Sequence, residues 1–277
     1  MIKTQTTAAE SAAVPTALSG ATHGASPAGP PVCPACGGRG HDLFIVHHGL
    51  TLFSCRACHT VHMHPRPTAT EVTALYSDAY GNASESYFSK VDKKLRRSRR
   101  RMATLARLKP AELQSGGRFL DIGCNGGFMV EAARERGFEA YGLDIDPVSI
   151  DYARKHYPAN RFVLATLEDY APDAPRFDMI YCSEVIEHLA DPSGFIDCVF
   201  ELLAPGGLFF LTTPDISHWR RARDVTRWDG FCPPSHCVYF NPRSLTALLR
   251  RAGFVGVERR WSFKPGIKLT CRKPASI

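Results

Sequence analysis

Four cysteines near the amino terminus have the spacing of a metal site. Two Cys-x-x-Cys pairs, Cys33 with Cys36 and Cys55 with Cys58, stand 18 residues apart. Each pair can place two sulfurs on one tight turn, and two pairs complete the tetrahedral thiolate set that Zn²⁺ prefers. An iron–sulfur cluster or four reduced structural thiols would use the same residues, but so short a segment has little core in which to bury unbridged thiols. We predict a structural zinc site, because four cysteine ligands leave no open position for catalysis, although a nearby histidine could replace one thiol.

A glycine-rich stretch further along the chain has the character of a ligand loop. In "FLDIGCNGGF", Gly123 lets the chain turn sharply after a predicted strand, and Gly126 and Gly127 remove side chains where a ligand would lie against backbone. The pattern is not Gly-x-Gly-x-x-Gly, and Asp121 stands at the strand end, where a pyrophosphate would not want a negative charge. An acidic residue there suits a ligand with an ammonium group, such as S-adenosylmethionine, which has no phosphate.

Asp144 follows the loop by about 20 residues, at the end of the next predicted strand. A carboxylate at this place can accept hydrogen bonds from both ribose hydroxyls of an adenosyl ligand. The alternative role, capping the next helix, suits Asp146 better because Asp146 directly precedes Pro147.

Two histidines are candidates for a general base. Methyl transfer from a sulfonium is an in-line displacement, so the protein mainly aligns the acceptor, but a hydroxyl acceptor also needs a base. His188 follows a predicted strand in "SEVIEHL", and His236 lies in "PPSHCVYF", before a predicted helix. Each could instead have no catalytic role: His188 could serve in packing, and His236 could be an ordinary loop residue. A carbon or nitrogen acceptor would need neither.

The elements that must hold these residues alternate from Arg118 to the end of the chain. Short apolar runs such as "RFLDIG", "EAYGLDI" and "FDMIYCS" alternate with helical patterns such as "PVSIDYARKHY" and "NPRSLTALLRRAGF". This alternation predicts an α/β fold with a doubly wound, mostly parallel sheet. We expect a disordered segment over 1–32, a zinc-binding ribbon over 33–67, a helical linker over 68–112 and the ligand-binding domain over 113–277.

Residues 118–272 resemble class I S-adenosylmethionine-dependent methyltransferases. The resemblance rests on "LDIGCNGG", "YGLDIDP", "FDMIYCSEVIEHLADP" and "LLAPGGLFFLTTP", in the family's order; Asn125 departs from the usual glycine. It implies a Rossmann-like seven-stranded sheet whose last strand is antiparallel. It also implies a set of cofactor contacts: the methionine moiety near Asp121 and Gly123, the ribose on Asp144, adenine between Ile145 and Leu167, its amino edge by Glu168, and the cofactor amine on the backbone of Cys182.

The cysteine segment resembles the zinc-binding head found before methyltransferases of this class that act on sugars and secondary metabolites. The resemblance covers residues 33 to about 80 and includes "CPAC", "CRAC" and "HPRP". It implies a small-molecule acceptor, most simply a hydroxyl of a sugar or secondary metabolite, methylated with His236 or His188 as base. Carbon or nitrogen methylation, and cofactor binding without transfer, remain alternatives.

The charge distribution raises a different alternative. The net charge is +7, and Lys90 to Lys109 holds ten Lys/Arg against one Asp. These charges alternate with Val91, Leu95 and Met102 at helical spacing, which is typical of the solvated face of an amphipathic helix. They could instead bind an anionic or carrier-bound acceptor, or dock RNA for methylation. With neither a secretory signal nor a run of about 18 apolar residues, we expect a cytoplasmic protein, without membrane contact and of undetermined oligomeric state.

Overall fold

The computed structural model describes residues 29–68, 71, 90–108 and 116–275. Nearly all of the predicted disordered segment 1–32, and most of the predicted linker 68–112, therefore lie outside the described residues. From Pro31 onward the chain belongs to one compact unit. The predicted boundaries after residues 67 and 112 stay predictions.

The elements follow the predicted alternation. The described helices and strands are, in chain order, β1 (His41–His47), β2 (Leu50–Cys55), β3 (Val61–Met63), α1 (Val91–Ala106), β4 (Arg118–Ile122), α2 (Phe128–Arg134), β5 (Glu139–Asp144), α3 (Pro147–His156), β6 (Arg161–Leu164), α4 (Leu167–Tyr170), β7 (Phe177–Ser183), α5 (Pro192–Leu202), β8 (Leu203–Pro214), β9 (Val238–Tyr239), α6 (Pro242–Arg251), β10 (Val255–Arg259) and β11 (Gly266–Arg272). Short 3₁₀ turns at Ala171–Asp173, Ile186–His188 and Val225–Arg227 complete the set.

Seven strands form the central sheet in the order β10-β11-β8-β7-β4-β5-β6. Strands β6, β5, β4, β7 and β8 run parallel, and β11 runs antiparallel to both β8 and β10. The predicted α/β fold, a Rossmann-like methyltransferase sheet with an antiparallel last strand, is confirmed. Helix α5 ends at Leu202, and the segment "LAPGG" that follows it begins β8.

The order of the sheet places the loops of interest side by side. The strands β4, β5 and β7 all end at the carboxyl edge of the parallel sheet, and β11, being antiparallel, begins there. Phe119 and Leu120 in β4 are fully buried, so the strand under the glycine-rich loop is fixed by packing on both faces. The loops that leave this edge are the ones that can build a site.

The cysteine segment forms a second, four-stranded antiparallel sheet with a strand of the main domain. Its order is β1-β2-β3-β9, so β3 pairs with a strand that lies between β8 and α6 in the chain. Two side chains of the α6 region bind the cysteine knuckles, since Asn241 Nδ2 donates to Cys58 O and Arg251 Nη1 to Ala35 O, each at 2.8 Å. The ribbon and the domain therefore pack as one body.

Helix α1 confirms the predicted amphipathic pattern within the basic run. Its Met102 and Leu105 are buried with Phe119 and Met179 of the sheet, and most of its arginines lie on the outer faces. In the part of the chain that the structure describes, no helix has the length and apolar character needed to cross a membrane.

Candidate active site

A cavity of about 1690 Å³ opens at the carboxyl edge of the sheet. Its walls come from the loops after β4, β5, β6 and β7, from the segment that leads into β11, and from one face of α1. Of the predicted site residues, Gly123, Asp144, Ile145, Leu167, Glu168 and His188 line it. Residues from six separate chain segments thus meet in one space, and that space is large enough for a nucleoside ligand together with a second molecule.

Gly123 and Gly127 are both required, for different reasons. Both have positive φ, +73° and +78°, and a Cβ on Gly123 would lie 2.5 Å from Cγ2 of Val185 at the cavity wall. A Cβ on Gly127 would lie 2.8 Å from the ring of Phe162, and Gly127 is not among the cavity-lining residues. Gly127 therefore shapes the turn into α2 by packing close to β6, and its predicted place beside the ligand stays a prediction.

Asn125 keeps the loop turning where the family usually has glycine. Its φ is +47°, a left-handed conformation that asparagine tolerates better than other side chains. Its Oδ1 accepts a 2.7 Å hydrogen bond from Gly126 N. The departure from the family pattern is thus accommodated locally, and Asn125 still lines the cavity.

Asp144 is oriented by backbone donors at the end of β5. Its Oδ2 accepts from Asn125 N at 2.7 Å and its Oδ1 from Asp146 N at 3.0 Å. Burial raises the pKa of Asp144, and these backbone hydrogen bonds oppose the shift. The predicted division of labour holds, because Asp146 caps α3 by accepting from Val148 N and Ser149 N while Asp144 faces the cavity.

Asp121 lies behind the loop, 3% exposed at the end of β4. Within the described residues its carboxylate has no hydrogen-bond donor. Burial, and then the charge of Asp144, raise its pKa well above the usual range, and the charge of Arg101 acts in the opposite direction. A buried carboxylate of this kind is stabilised by a bound cation.

Ile145, Leu167 and Glu168 all line the cavity, on the segments that follow β5 and β6, and their contact with adenine stays a prediction. Cys182 lies apart from them in β7, with a fully buried side chain that does not line the cavity. Its pairing partner in the sheet is Ile122, which precedes the loop glycine. The predicted contact of Cys182, through its backbone, stays a prediction.

The two candidate histidines lie edge to face, with ring centroids 4.5 Å apart. His188 Nδ1 donates to Ser235 O at 2.7 Å and His236 Nδ1 donates to Gly230 O at 3.0 Å, since a carbonyl can only accept. In each neutral ring the unprotonated nitrogen is therefore Nε2. His188 lines the cavity, whereas His236 is not one of its lining residues.

Burial keeps both imidazoles neutral. It lowers the pKa of His188 to about 3, with a further contribution from the nearby His236. Burial also lowers the pKa of His236, against the hydrogen bond to Gly230. Neutral rings can accept a proton, which is the state a general base must start from.

Two glutamates beside these histidines were missed from the sequence. Glu187 is fully buried, its Oε2 accepts from Thr213 Oγ1 at 2.9 Å, and its Oε1 has no partner among the described residues. One ligand atom from each of Glu187, His188 and His236 lies within 4.8 Å of the others. Glu184 has a φ of +59° and accepts from Thr212 Oγ1 at 2.8 Å. Both belong to "SEVIEH", a segment in which the sequence pointed only to the histidine as a candidate base.

A second set that was missed is a group of cations on the cavity wall. It comprises Lys94, Arg97 and Arg101 from α1 and Lys264 and Lys268 from the chain entering β11. The charge run around α1 was visible in the sequence, but nothing in "GIKLTCR" marks Lys268 as part of a site. Topology brings the two segments together.

The four cysteines of the ribbon converge as predicted. Sγ of Cys33 lies 3.5 Å from that of Cys58, Sγ of Cys36 lies 3.5 Å from that of Cys55, and all four sulfurs fall within 4.8 Å of one another. A tetrahedral zinc with bonds of about 2.3 Å sets sulfurs about 3.8 Å apart, so the set fits. A Cβ on Gly38 would lie 3.2 Å from Sγ of Cys36, so glycine leaves the sulfurs room.

Comparison with known proteins agrees with this geometry. Residues 87–259 match the family described as "Methyltransferase domain". The chain belongs to this family, so the prediction of a class I S-adenosylmethionine-dependent methyltransferase is confirmed.

The chain is 33% identical over 155 residues to a ubiquinone biosynthesis O-methyltransferase of Cereibacter sphaeroides, covering 52% of this chain and 63% of that relative. It thus spans less than two thirds of the relative's length.

Among solved structures, the fold is similar to a 1,6-didemethyltoxoflavin-N1-methyltransferase of Burkholderia thailandensis. That match has a TM-score of 0.53 and 17% identity, and covers 84% of this chain and 99% of the other. A methyltransferase of Archaeoglobus fulgidus gives a TM-score of 0.55 with 17% identity, covering 70% of this chain and 99% of the other. At this identity the likeness concerns the fold.

Proposed function

We propose that the protein transfers a methyl group from S-adenosylmethionine to a hydroxyl of a small molecule, such as a secondary metabolite or sugar. The observation that carries the proposal is the shared cavity, in which Asp144 and His188 line the same space. The name of the similar C. sphaeroides protein, an O-methyltransferase, supports a hydroxyl acceptor. Methylation at nitrogen or carbon remains the alternative.

The residues of the β4–β6 side fit the donor. Asp144 would accept the ribose hydroxyls, Ile145 and Leu167 would contact adenine, and Glu168 would accept from its amino group. Asp121 supplies negative charge toward the donor's ammonium group. When bound, S-adenosylmethionine supplies a methyl group already activated by its sulfonium.

Arg101 is the residue we assign to the donor's carboxylate. Its guanidinium lies 5.7 Å from the centre of the Tyr181 ring, donates to the Tyr181 hydroxyl, and influences the buried Asp121. Arg101 also lines the cavity. An arginine here can pair with an anionic group beside the site of an ammonium group.

His188 is the candidate base. Its Nδ1 is held by Ser235 O, so its Nε2 can take the proton of the acceptor hydroxyl. A pKa near 3 makes it a weak base on its own. Burial, then the charge of Glu184, raise the pKa of Glu187 well above its usual range. A positive imidazolium in the same cluster would favour the ionised form of Glu187, whose Oε1 would then stabilise that imidazolium. His236 would position His188 through the ring contact and through Ser235, the residue before it.

We also propose that the ribbon binds structural Zn²⁺. Its metal would hold β2 and β3 in place, and β3 pairs with β9 next to His236. Met63 N donates to Cys237 O, and Cys237 N in turn donates to Glu187 O, at 2.8 and 3.0 Å. The ribbon is thereby joined to the acceptor side of the cavity by two backbone hydrogen bonds.

RNA methylation is less well supported by the geometry. Three basic side chains of α1, Lys94, Arg97 and Arg101, line the cavity instead of extending an outer basic face.

A cytoplasmic location fits the proposed use of S-adenosylmethionine and reduced thiols.

The test of the proposal measures S-adenosylhomocysteine formed from S-adenosylmethionine with hydroxylated small molecules and, in parallel, with RNA. We expect turnover with a hydroxyl acceptor, and a methyl ether as the product. Turnover with RNA alone, or methylation at nitrogen or carbon, would overturn the proposal. Matched reactions with Arg101→Gln should show a raised KM for the donor.

A further inference from the structure

The cavity has two electrostatically different halves. Its carboxylates lie on the β5–β6 side, as Asp144, Glu168 and Asp169, and on the loop after β7, as Glu184 and Asp191. Its cations lie on α1 and at the start of β11. In the sheet, β5 and β11 are separated by β4, β7 and β8, four strand spacings or about 19 Å. The donor assignment occupies the first half and leaves the second for the acceptor.

The two halves differ in how far their charges are already satisfied. Asp144 accepts two backbone hydrogen bonds, Asp169 accepts from Thr166, and Glu184 accepts from Thr212. Within the described residues, the side chains of Arg97 and Lys268 have neither an ion pair nor a hydrogen bond.

The side chain of Lys264 likewise has neither an ion pair nor a hydrogen bond among the residues described. The cations also crowd one another: burial, then the charges of Arg101 and Arg97, lower the pKa of Lys268, and the charge of Glu184 opposes this shift only in part. A bound anion would relieve this crowding.

Aromatic side chains stand beside these cations. Trp261 and Phe263 line the cavity, are 80% and 52% exposed, and have ring centroids 5.9 Å apart. Arg220 lies over the Phe263 ring, 3.7 Å from its centre, so one face of that ring is covered by a cation. Large exposed aromatic rings at a cavity mouth are typical of ligand contacts.

We infer that the acceptor is a planar aromatic ring carrying an oxyanion such as a carboxylate, with the anion bound by Arg97 and Lys268 and the ring held against Trp261 and Phe263. The inference rests on the proposed function, since it names the acceptor class for the same site. It explains why basic residues from two distant segments line one wall of a cavity whose other half serves a donor. Lys264 at the rim adds positive charge along the entry.

The experiment uses the full-length protein loaded with S-adenosylhomocysteine, so that the donor's own carboxylate is already bound. 4-Hydroxycinnamate and its methyl ester have the same ring and differ in charge. We expect the acid to bind at least tenfold more tightly than the ester by calorimetry, because hydrogen bonds between charged groups are the strong ones. Equal affinities, or failure of both to bind, would overturn the inference.

Variants then locate the subsite. Lys268→Gln and Arg97→Gln should each bring the acid-to-ester affinity ratio close to one and leave S-adenosylhomocysteine affinity unchanged. Arg96→Gln is the matched control, since Arg96 is exposed on α1 and does not line the cavity. A ratio that falls equally in the control would show a general effect of charge and contradict the subsite.

Tryptophan fluorescence supplies a second readout. Binding of 4-hydroxycinnamate should quench the tryptophan fluorescence of the wild-type protein, and Trp261→Leu should remove most of that quenching. Quenching that is unchanged in Trp261→Leu would contradict the ring placement. A wild-type protein that does not bind S-adenosylhomocysteine would instead refute the proposed function. Failure of the acceptor inference and failure of the proposed function therefore give different results.

Discussion

The carboxylates Asp144 and Asp146 stand two residues apart but have separate roles, and this gives a sharp test of the donor site. Asp144 lines the cavity, whereas Asp146 is 7% exposed and caps α3 through two backbone N–H groups. Asp144→Ala should weaken S-adenosylmethionine binding, and Asp146→Ala should weaken the fold. Each variant therefore serves as the control for the other.

The expected magnitudes follow from the hydrogen bonds removed. Two ribose hydroxyls donating to the Asp144 carboxylate contribute about 1.5 kcal/mol each, so Asp144→Ala should raise the donor Kd about 100-fold. Asp146→Ala removes a helix cap that accepts from Val148 N and Ser149 N. Loss of such a cap costs about 1 kcal/mol, which corresponds to a Tm lower by about 2–4 °C.

The assay is titration calorimetry with S-adenosylmethionine, combined with thermal unfolding of the same samples. Donor affinity in Asp144→Ala equal to that of the wild type would refute the ribose assignment. Equal losses of affinity in both variants would trace the effect to the fold of the loop, and would refute the separation of roles.

Three further predictions concern the acceptor side and the ribbon. His188→Ala should lower kcat at least 100-fold with little change in donor Kd. His236→Ala, which removes a positioning contact, should lower kcat less and shift the pH profile of kcat. A wild-type kcat in His188→Ala would exclude His188 as the general base. Cys55→Ser should lower the amount of bound zinc, measured by mass spectrometry, and should lower Tm. Cys198→Ser, outside the ribbon, should change neither. A full zinc content in Cys55→Ser would contradict the four-cysteine site. His62 is 1% exposed and burial lowers its pKa to about 4. The pKa of His62 in the folded protein is thus below its value near 6.5 in the unfolded chain. Because the unfolded chain binds more protons between pH 4 and 6.5, the free energy of unfolding should fall by up to about 3 kcal/mol as the pH drops from 6.5 to 4. In urea unfolding, His62→Gln should flatten this slope, and an unchanged slope would show that His62 is not its source.

The fold and the donor half could be predicted because their signals are local. Gly123, Asp144 and the strand that precedes each lie within two short motifs, and α/β topology brings the ends of neighbouring parallel strands together. The signal for the four clustered cysteines was equally local, since two Cys-x-x-Cys pairs define their own knuckles. The packing of Gly127 against Phe162 was not visible in the sequence, because a glycine needed for packing and a glycine needed for a ligand look alike there.

The acceptor half could not be predicted because its residues meet through long-range topology. Lys268 faces Arg97 only because β11 inserts between β8 and β10, and α1 lies across the same edge. The pairing of β3 with β9 likewise joins segments about 180 residues apart. Neither contact leaves a periodic or spacing signal in the sequence.

The same limit applied to the general base. His188 and His236 were equal candidates by residue type and position in the sequence. In the structure His188 lines the cavity, and His236 contacts the His188 ring without lining the cavity itself. Glu187 escaped notice because a glutamate at the start of a turn is ordinarily solvated, whereas here it is fully buried.

The most direct test of the central claim follows the labelled methyl group of S-adenosylmethionine to its product. With a panel of hydroxylated aromatic acids, NMR of the product identifies the atom that receives the label. We predict a methyl ether, formed together with S-adenosylhomocysteine and greatly reduced in Asp144→Ala at a donor concentration near the wild-type Kd. A protein that binds the donor with normal affinity but forms no methyl ether from any acid of the panel would contradict it.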